Sequence, residues 1–249
     1  MEAAPRKRRG HPGAPLSAVG TEAGGKGFAL RDESSHTPQA RVELQKKTLG
    51  ATERDEEKRS DFKRRLRGVD PKRLVFVDES STNIALTPRY ARAPEGQRAH
   101  GKAPRRNWGK NVTLISSITL EEGMGPSMSI EGSSDTESFE LYMREILAPR
   151  LKAGQIVLMD NLSVHKSNWV RDLIEEKGCQ LWLLPSYSPD FNPIEEAFSK
   201  VKNLIRKAKA RTLEALFAAT AGALGAVSEE DARGFFEACG YKTHQDHSL

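Results

Sequence analysis

Apolar residues in this chain gather in short unbroken runs. Leu74-Val75-Phe76-Val77 ends at Asp78, and Ile156-Val157-Leu158-Met159 ends at Asp160. A run with no polar face predicts a strand buried on both sides, as in a sheet covered by helices, and each of these two delivers a carboxylate at its C-terminal end. Residues 112–119 and 127–130 predict two more strands, and Gln180 to Leu184 a fifth. Between them, Ser134-Asp135-Thr136-Glu137 has the form of a capping box. The stripe Phe139, Tyr142, Met143, Ile146 and Leu147 then follows at the spacing of one helix face, closed by Pro149. Ser167 can cap a helix that buries Val170, Leu173 and Ile174 and stops at Gly178. After a turn-rich stretch from Pro185 to Pro193, a long helix carries Ile194, Ala197, Phe198, Val201, Ile205 and Ala208 on one face, and helices near Leu213 to Ala226 and Glu229 to Cys239 finish the chain. Five strands with interleaved and trailing helices predict an α/β domain over 71–249.

The first 40 residues show neither period and are rich in Gly, Pro, Ala, Ser and charge, which predicts a disordered basic tail. Residues 41–70 are dense in Lys, Arg and Glu with scattered apolar positions (Val42, Leu44, Leu49, Phe62, Leu66) and predict a charged helical linker. Of the 39 basic and 34 acidic residues, 16 and 11 fall within the first 70, so the whole formal charge of +5 resides there. No run approaches the roughly 20 apolar residues of a membrane span, and the basic start Arg6 to Arg9 is not followed by a signal-peptide core. A soluble, cytoplasmic protein with no membrane partner is expected. Cys179 and Cys239 lack any metal-binding spacing and read as packed thiols.

Two buried strands ending in carboxylates are costly unless those groups are hydrogen-bonded or bind a cation. A third acid stands in Pro189-Asp190-Phe191-Asn192-Pro193-Ile194-Glu195-Glu196, where Asn192 suits a helix N-cap and Pro193 the first helical position. Glu195 then falls at the third helical position, where it could equally close a capping box, and its angle lies nearer the apolar stripe than that of Glu196. Asp78, Asp160 and Glu195 together could hold two divalent cations, magnesium or manganese given ligands that are all oxygen, in the arrangement used for in-line phosphoryl displacement. No Ser/His/Asp or Cys/His set, no phosphate-cradling Gly-Lys loop and no HExxH stands beside them. Arg89, Arg92, Arg98, Lys102, Arg105, Arg106 and Lys110, with Tyr90 and Trp108 interleaved, form a basic stretch suited to DNA phosphates, Trp108 offering a ring to an unpaired base. Lys200, Lys202, Arg206, Lys207 and Lys209 give the long helix a second basic face.

On these residues the chain resembles the mariner superfamily of transposases, in its bacterial insertion-sequence branch with an Asp-Asp-Glu (DDE) catalytic domain. The resemblance runs from about Lys46 to Tyr241. It is carried by Leu74 to Ser80 (LVFVDES), Val157 to His165 (VLMDNLSVH), Leu184 to Lys202 (LPSYSPDFNPIEEAFSKVK) and Phe235 to Tyr241 (FFEACGY). The 34 residues between Asp160 and Glu195 match the family spacing. The resemblance implies a ribonuclease-H-like fold, a five-stranded mixed sheet flanked by helices, with Asp78, Asp160 and Glu195 as catalytic metal ligands for two ions. It implies cleavage at transposon ends by water, then attack of the freed 3′ hydroxyl on target DNA, commonly at TA. His165, in the run that follows Asp160, would support the metal ligands or face a DNA phosphate. Implied partners are double-stranded DNA, both transposon ends and target, and a second copy forming a homodimer on DNA. The first 70 residues present no clear helix-turn-helix, so a separately encoded helix-turn-helix half is a further expected partner, and a catalytically silent remnant that binds DNA or an intact transposase is the alternative reading.

Overall fold

The structure, a computed structural model, describes residues 54–102, 104, 111–161 and 167–242. The predicted tail, the first part of the predicted linker, and Arg105, Arg106, Trp108, Lys110 and His165 lie outside the described residues.

Five strands form one mixed sheet in the order β3-β2-β1-β4-β5: β1 (Leu74–Thr82), β2 (Val112–Thr119), β3 (Gly123–Glu131), β4 (Ile156–Met159) and β5 (Gln180–Leu183). β1 is central, antiparallel to β2 and parallel to β4, and β4 is parallel to β5. A parallel pair needs a crossover, which explains the helical segments between β1 and β4 and between β4 and β5. β1 is longer than the apolar run alone predicts. It continues through Asp78 to Thr82 because β2 pairs with it along that whole length, so Asp78 sits inside the strand and only Asp160 follows directly on a strand's end.

Side-chain alternation sorts the strands into two cores. Leu74, Phe76, Leu114, Ile118, Ile156 and Leu158 face α4 (Pro193–Ala208), α5 (Leu213–Gly225) and α6 (Glu229–Ala238). Val75, Val77, Ile115, Val157 and Met159 face Phe139, Tyr142 and Met143 of the segment after β3, and Val170 and Ile174 of α3 (Asn168–Glu176). The result is a sheet covered on both faces by helices, as the unbroken apolar runs require.

Three local readings shift. The helix after β3 is capped by Asp135, which accepts from the Ser138 amide while Ser138 Oγ accepts from the Asp135 amide, so the capping box lies one residue beyond the expected Ser134. Ser134 instead donates to Glu79. α2 (Thr136–Leu141) then widens into a π turn (Tyr142–Leu147) and tightens into a 3-10 turn (Ala148–Arg150) around Pro149, with the predicted apolar stripe still facing inward. β3 begins four residues earlier than expected; Pro126 is tolerated because β3 is an edge strand, and Gly125 accommodates the bulged Ser117, whose Oγ would clash with any Cβ there.

Within the predicted linker, α1 (Glu56–Leu66) is helical and capped by Asp55. It does not stand in solvent alone: Phe62 joins the core on the α4 side and Arg59 is 3% exposed. Both cysteines are free thiols. Burial, followed by the charges of Glu196 and Asp190, pushes Cys239 up to about 11, a protonated thiol unsuited to nucleophilic work. Among the described residues no helix is long and apolar enough to cross a membrane.

Candidate active site

Sheet register brings the first two acids together. β1 and β4 pair Leu74 with Ile156, Val75 with Val157 and Phe76 with Leu158. Continued by two residues, the same register sets Asp78 beside Asp160, on adjacent strands about 4.8 Å apart. Because Phe76 and Leu158 face α4, side-chain alternation turns both acids toward α4 as well. Glu195 lies in the first turn of that helix. Asp78, Asp160 and Glu195 all line one cavity of about 390 Å³, together with Asn161, Ser186, Tyr187, Pro189 and Asn192. Glu196 is not among the lining residues, in keeping with its angle on the helix.

The three acids differ in setting. Asp78 is 8% exposed and hydrogen-bonded: one carboxylate oxygen accepts from the Glu79 amide at 2.7 Å and the other from Asn192 Nδ2 at 2.8 Å. Asp160 is half-buried and Glu195 is exposed. Among the described residues no three His, Cys, Asp or Glu side chains are gathered closely enough to hold an ion as they stand. Like charges around one cavity repel, and a Glu on a helix's first turn can swing through several rotamers. The donor set itself is all carboxylate, which fits magnesium or manganese and not a soft metal.

Asn192 is the residue that sequence reasoning placed correctly and understood incompletely. It is the N-cap of α4, yet its side chain makes no capping bond; the amide is committed to Asp78, and the buried Oδ1 has no hydrogen-bond partner. Forgoing the cap costs about 1 kcal/mol and an unpaired buried acceptor about 1–3 kcal/mol. The only sequence signal was an Asn where capping already explained it. Tyr187 was also missed. It lines the cavity, is 58% exposed and holds φ at 55°, a left-handed conformation that a bulky residue rarely adopts. Asn161 donates to Ser186 at 2.9 Å, tying the segment after β4 to the turn after β5.

Of the predicted DNA-facing residues, Arg89, Arg92, Arg98 and Lys102 are exposed, as is Tyr90. Arg206 of α4 is buried, and burial, followed by the charge of Arg89, pushes its guanidinium down. A second groove shares Asn161, Leu184, Pro185 and Ser186 with the acid-lined cavity and continues past Lys58 and Arg65, whose guanidinium lies 3.7 Å over the Trp182 ring.

Residues 73–217 match the family model described as DDE superfamily endonuclease. The chain is 25% identical over 152 residues to the transposase of transposable element Tcb1 of Caenorhabditis briggsae, an alignment that covers 58% of this chain and 56% of that protein. The chain thus spans little more than half the length of such a relative. Among solved structures, it resembles the Mos1 transposase paired-end complex with left transposon end (TM-score 0.59, 19% identity, 78% of this chain and 63% of that one). It also resembles the mariner Mos1 paired-end complex with Mg (TM-score 0.57, 16% identity, 80% and 64%). These likenesses establish the ribonuclease-H-like fold. With the family model covering more than half of its residues, the chain belongs to the DDE superfamily endonucleases.

Proposed function

We propose that this chain is the catalytic domain of a transposase of the bacterial insertion-sequence branch, cutting DNA at the ends of a mobile element and joining the freed 3′ hydroxyl to a target, commonly at TA. The observation that carries this reading is the meeting of Asp78, Asp160 and Glu195 at one cavity, from two neighbouring parallel strands and the first turn of α4, inside the matched residues. The Tcb1 relative is a transposase, and the Mos1 structures hold a transposon end and Mg, which supports DNA as substrate and a divalent cation as cofactor.

Asp78, Asp160 and Glu195 are the residues that would hold two magnesium or manganese ions. Bound there, such ions supply positive charge to the attacking and leaving oxygens of a phosphodiester. The protein's own share is orientation. Asp78 is fixed by two donated hydrogen bonds, so its carboxylate needs no reordering when substrate arrives. In the first step the oxygen of water attacks phosphorus and the bond to the 3′ oxygen breaks; in the second that 3′ oxygen attacks a target phosphodiester and displaces its 3′ oxygen. Lys58 and Arg65 along the adjoining groove, and Arg89, Arg92, Arg98 and Lys102, are suited to neutralise the phosphates of both duplexes. Tyr187 presents a ring at the cavity's rim on which an unpaired base can stack.

The test is a joining assay with purified protein, an end-bearing duplex, a target plasmid and magnesium or manganese. Joined product with TA at its junctions is expected. Cleavage without joining would indicate a nuclease of the same fold, and DNA binding without either would favour the catalytically silent reading.

A further inference from the structure

We propose that Arg59, on α1 and ahead of the residues that match the endonuclease family model, is a positioning residue for Asp78, acting through Asp190 and Asn192. The inference rests on the reading of Asp78 as an active-site carboxylate.

Asp190, Phe191 and Asn192 are consecutive, and each is held by side chains from elsewhere in the fold. Arg59 donates Nη1 to Asp190 Oδ1 at 3.0 Å and Nη2 to Asp190 Oδ2 at 2.7 Å, a two-pronged pairing that fixes the direction of the carboxylate as well as its distance. The same guanidinium lies 4.1 Å over the Phe191 ring, and Phe62, almost one turn further along α1, stacks on that ring with centroids 5.4 Å apart. Tyr241 donates its hydroxyl to the Phe191 carbonyl at 2.7 Å. Asn192 follows directly and reaches Asp78.

Local energetics do not favour this placement of Asn192. An Asn at an N-cap ordinarily turns its oxygen to the helix amides. Here the Glu195 amide bonds to the Asn192 backbone carbonyl, the side-chain oxygen is unpaired, and the side-chain nitrogen points to Asp78. A flipped amide would set oxygen against carboxylate, so Asp78 determines which way the group faces. A side chain in an unfavourable local arrangement must be held by its surroundings, and the grip on Asp190 and Phe191 supplies that hold. All three of its members, Arg59 and Phe62 on α1 and Tyr241 after α6, lie outside residues 73–217. α1 is by this account a working part of the active site and not a spacer.

The test uses the full chain with Arg59→Ala, Arg59→Lys and Asp190→Asn. Without metal or DNA, the Asn192 side-chain amide is followed by ¹⁵N NMR, assigned by its loss in Asn192→Ala. Its hydrogen exchange should be slow in the unmodified chain, at least about tenfold faster in Arg59→Ala, and intermediate in Arg59→Lys, which keeps the charge but loses the fork. With DNA and manganese, the manganese concentration for half-maximal cleavage should rise about tenfold while duplex affinity stays unchanged. If Arg59→Ala does not fold, Asp190→Asn at a half-exposed carboxylate carries the same two readouts. A folded variant with unaltered Asn192 exchange and unaltered manganese dependence would overturn the proposal. An unmodified chain that cuts nothing would instead sink the transposase reading, while the exchange measurement still decides the role of Arg59.

Discussion

The two halves of the acid-lined cavity are built by different means. Asp78 and Asp160 belong to the sheet: parallel pairing of β1 with β4 sets their separation, and alternation sets their direction. Asn192 and Glu195 belong to a turn and a helix start, whose position against the sheet depends on Arg59, Phe62 and Tyr241. In the first half each strand is marked locally, by a few apolar residues in a row, and backbone pairing then joins the two strands across the sequence. The second is specified by contacts between residues distant in sequence. Damage to the first should therefore abolish chemistry outright, and damage to the second should loosen it by degrees.

The largest effect is expected at the sheet-borne half. Asp160→Asn should reduce strand cleavage by about a thousandfold or more while leaving duplex affinity nearly unchanged, as gel shift and cleavage kinetics would show. Cleavage near the unmodified rate would remove Asp160 from the chemistry. Next comes the core beneath it. Phe76 is fully buried two residues before Asp78 and makes edge contacts with Phe236 and Tyr241 at 5.4 and 5.3 Å. Phe76→Ala should cost about 3–5 kcal/mol in chemical denaturation, since the cavity left among rigid neighbours cannot collapse.

A smaller effect is expected at the turn-borne half. Tyr241→Phe keeps the ring but strands the Phe191 carbonyl, and should cost about 1–2 kcal/mol in the same denaturation measurement, with slower cleavage. Stability equal to the unmodified chain would mean that this bond does not hold the turn. The smallest lies away from the cavity, where Lys200 of α4 pairs with Asp231 of α6. That hydrogen bond, with those from Ser228, brings Asp231 down to about 2, below its ordinary 3.8. A depressed carboxyl stabilises the fold above its unfolded value and loses that contribution as pH falls through its folded value. Asp231→Asn should thus lower stability by less than about 1 kcal/mol near neutral pH, and the gap should close between about pH 4 and pH 2. A gap that persists at pH 2 would assign the effect to packing.

The contrast also explains what could be read from the sequence. Leu74 to Val77 and Ile156 to Met159 announced buried strands because nothing else accounts for four apolar residues in a row, and the acids that follow them were visible for that reason. Glu195 came from a helix start marked by Asn192 and Pro193. The extension of β1 past Asp78 was hidden because Glu79, Ser80 and Ser81 are polar and depend on β2 for their pairing. β3 was shortened because Gly-Met-Gly-Pro reads as a turn, when an edge position tolerates it. The task of Asn192 was masked by a local explanation that fitted as well, and α1 reads as a solvated linker because its burial falls on one Phe and on an Arg, a residue that pattern reasoning puts outside.

On the proposed function, Asp78, Asp160 and Glu195 act on one shared pair of cations. Crystals grown with manganese, examined by anomalous scattering, test it most directly. Manganese is expected in the cavity with carboxylate oxygens of all three residues about 2.0–2.3 Å from the ions, Glu195 having swung inward. Manganese bound elsewhere on the protein, or in the cavity with any one of the three acids turned away from it, would contradict the account.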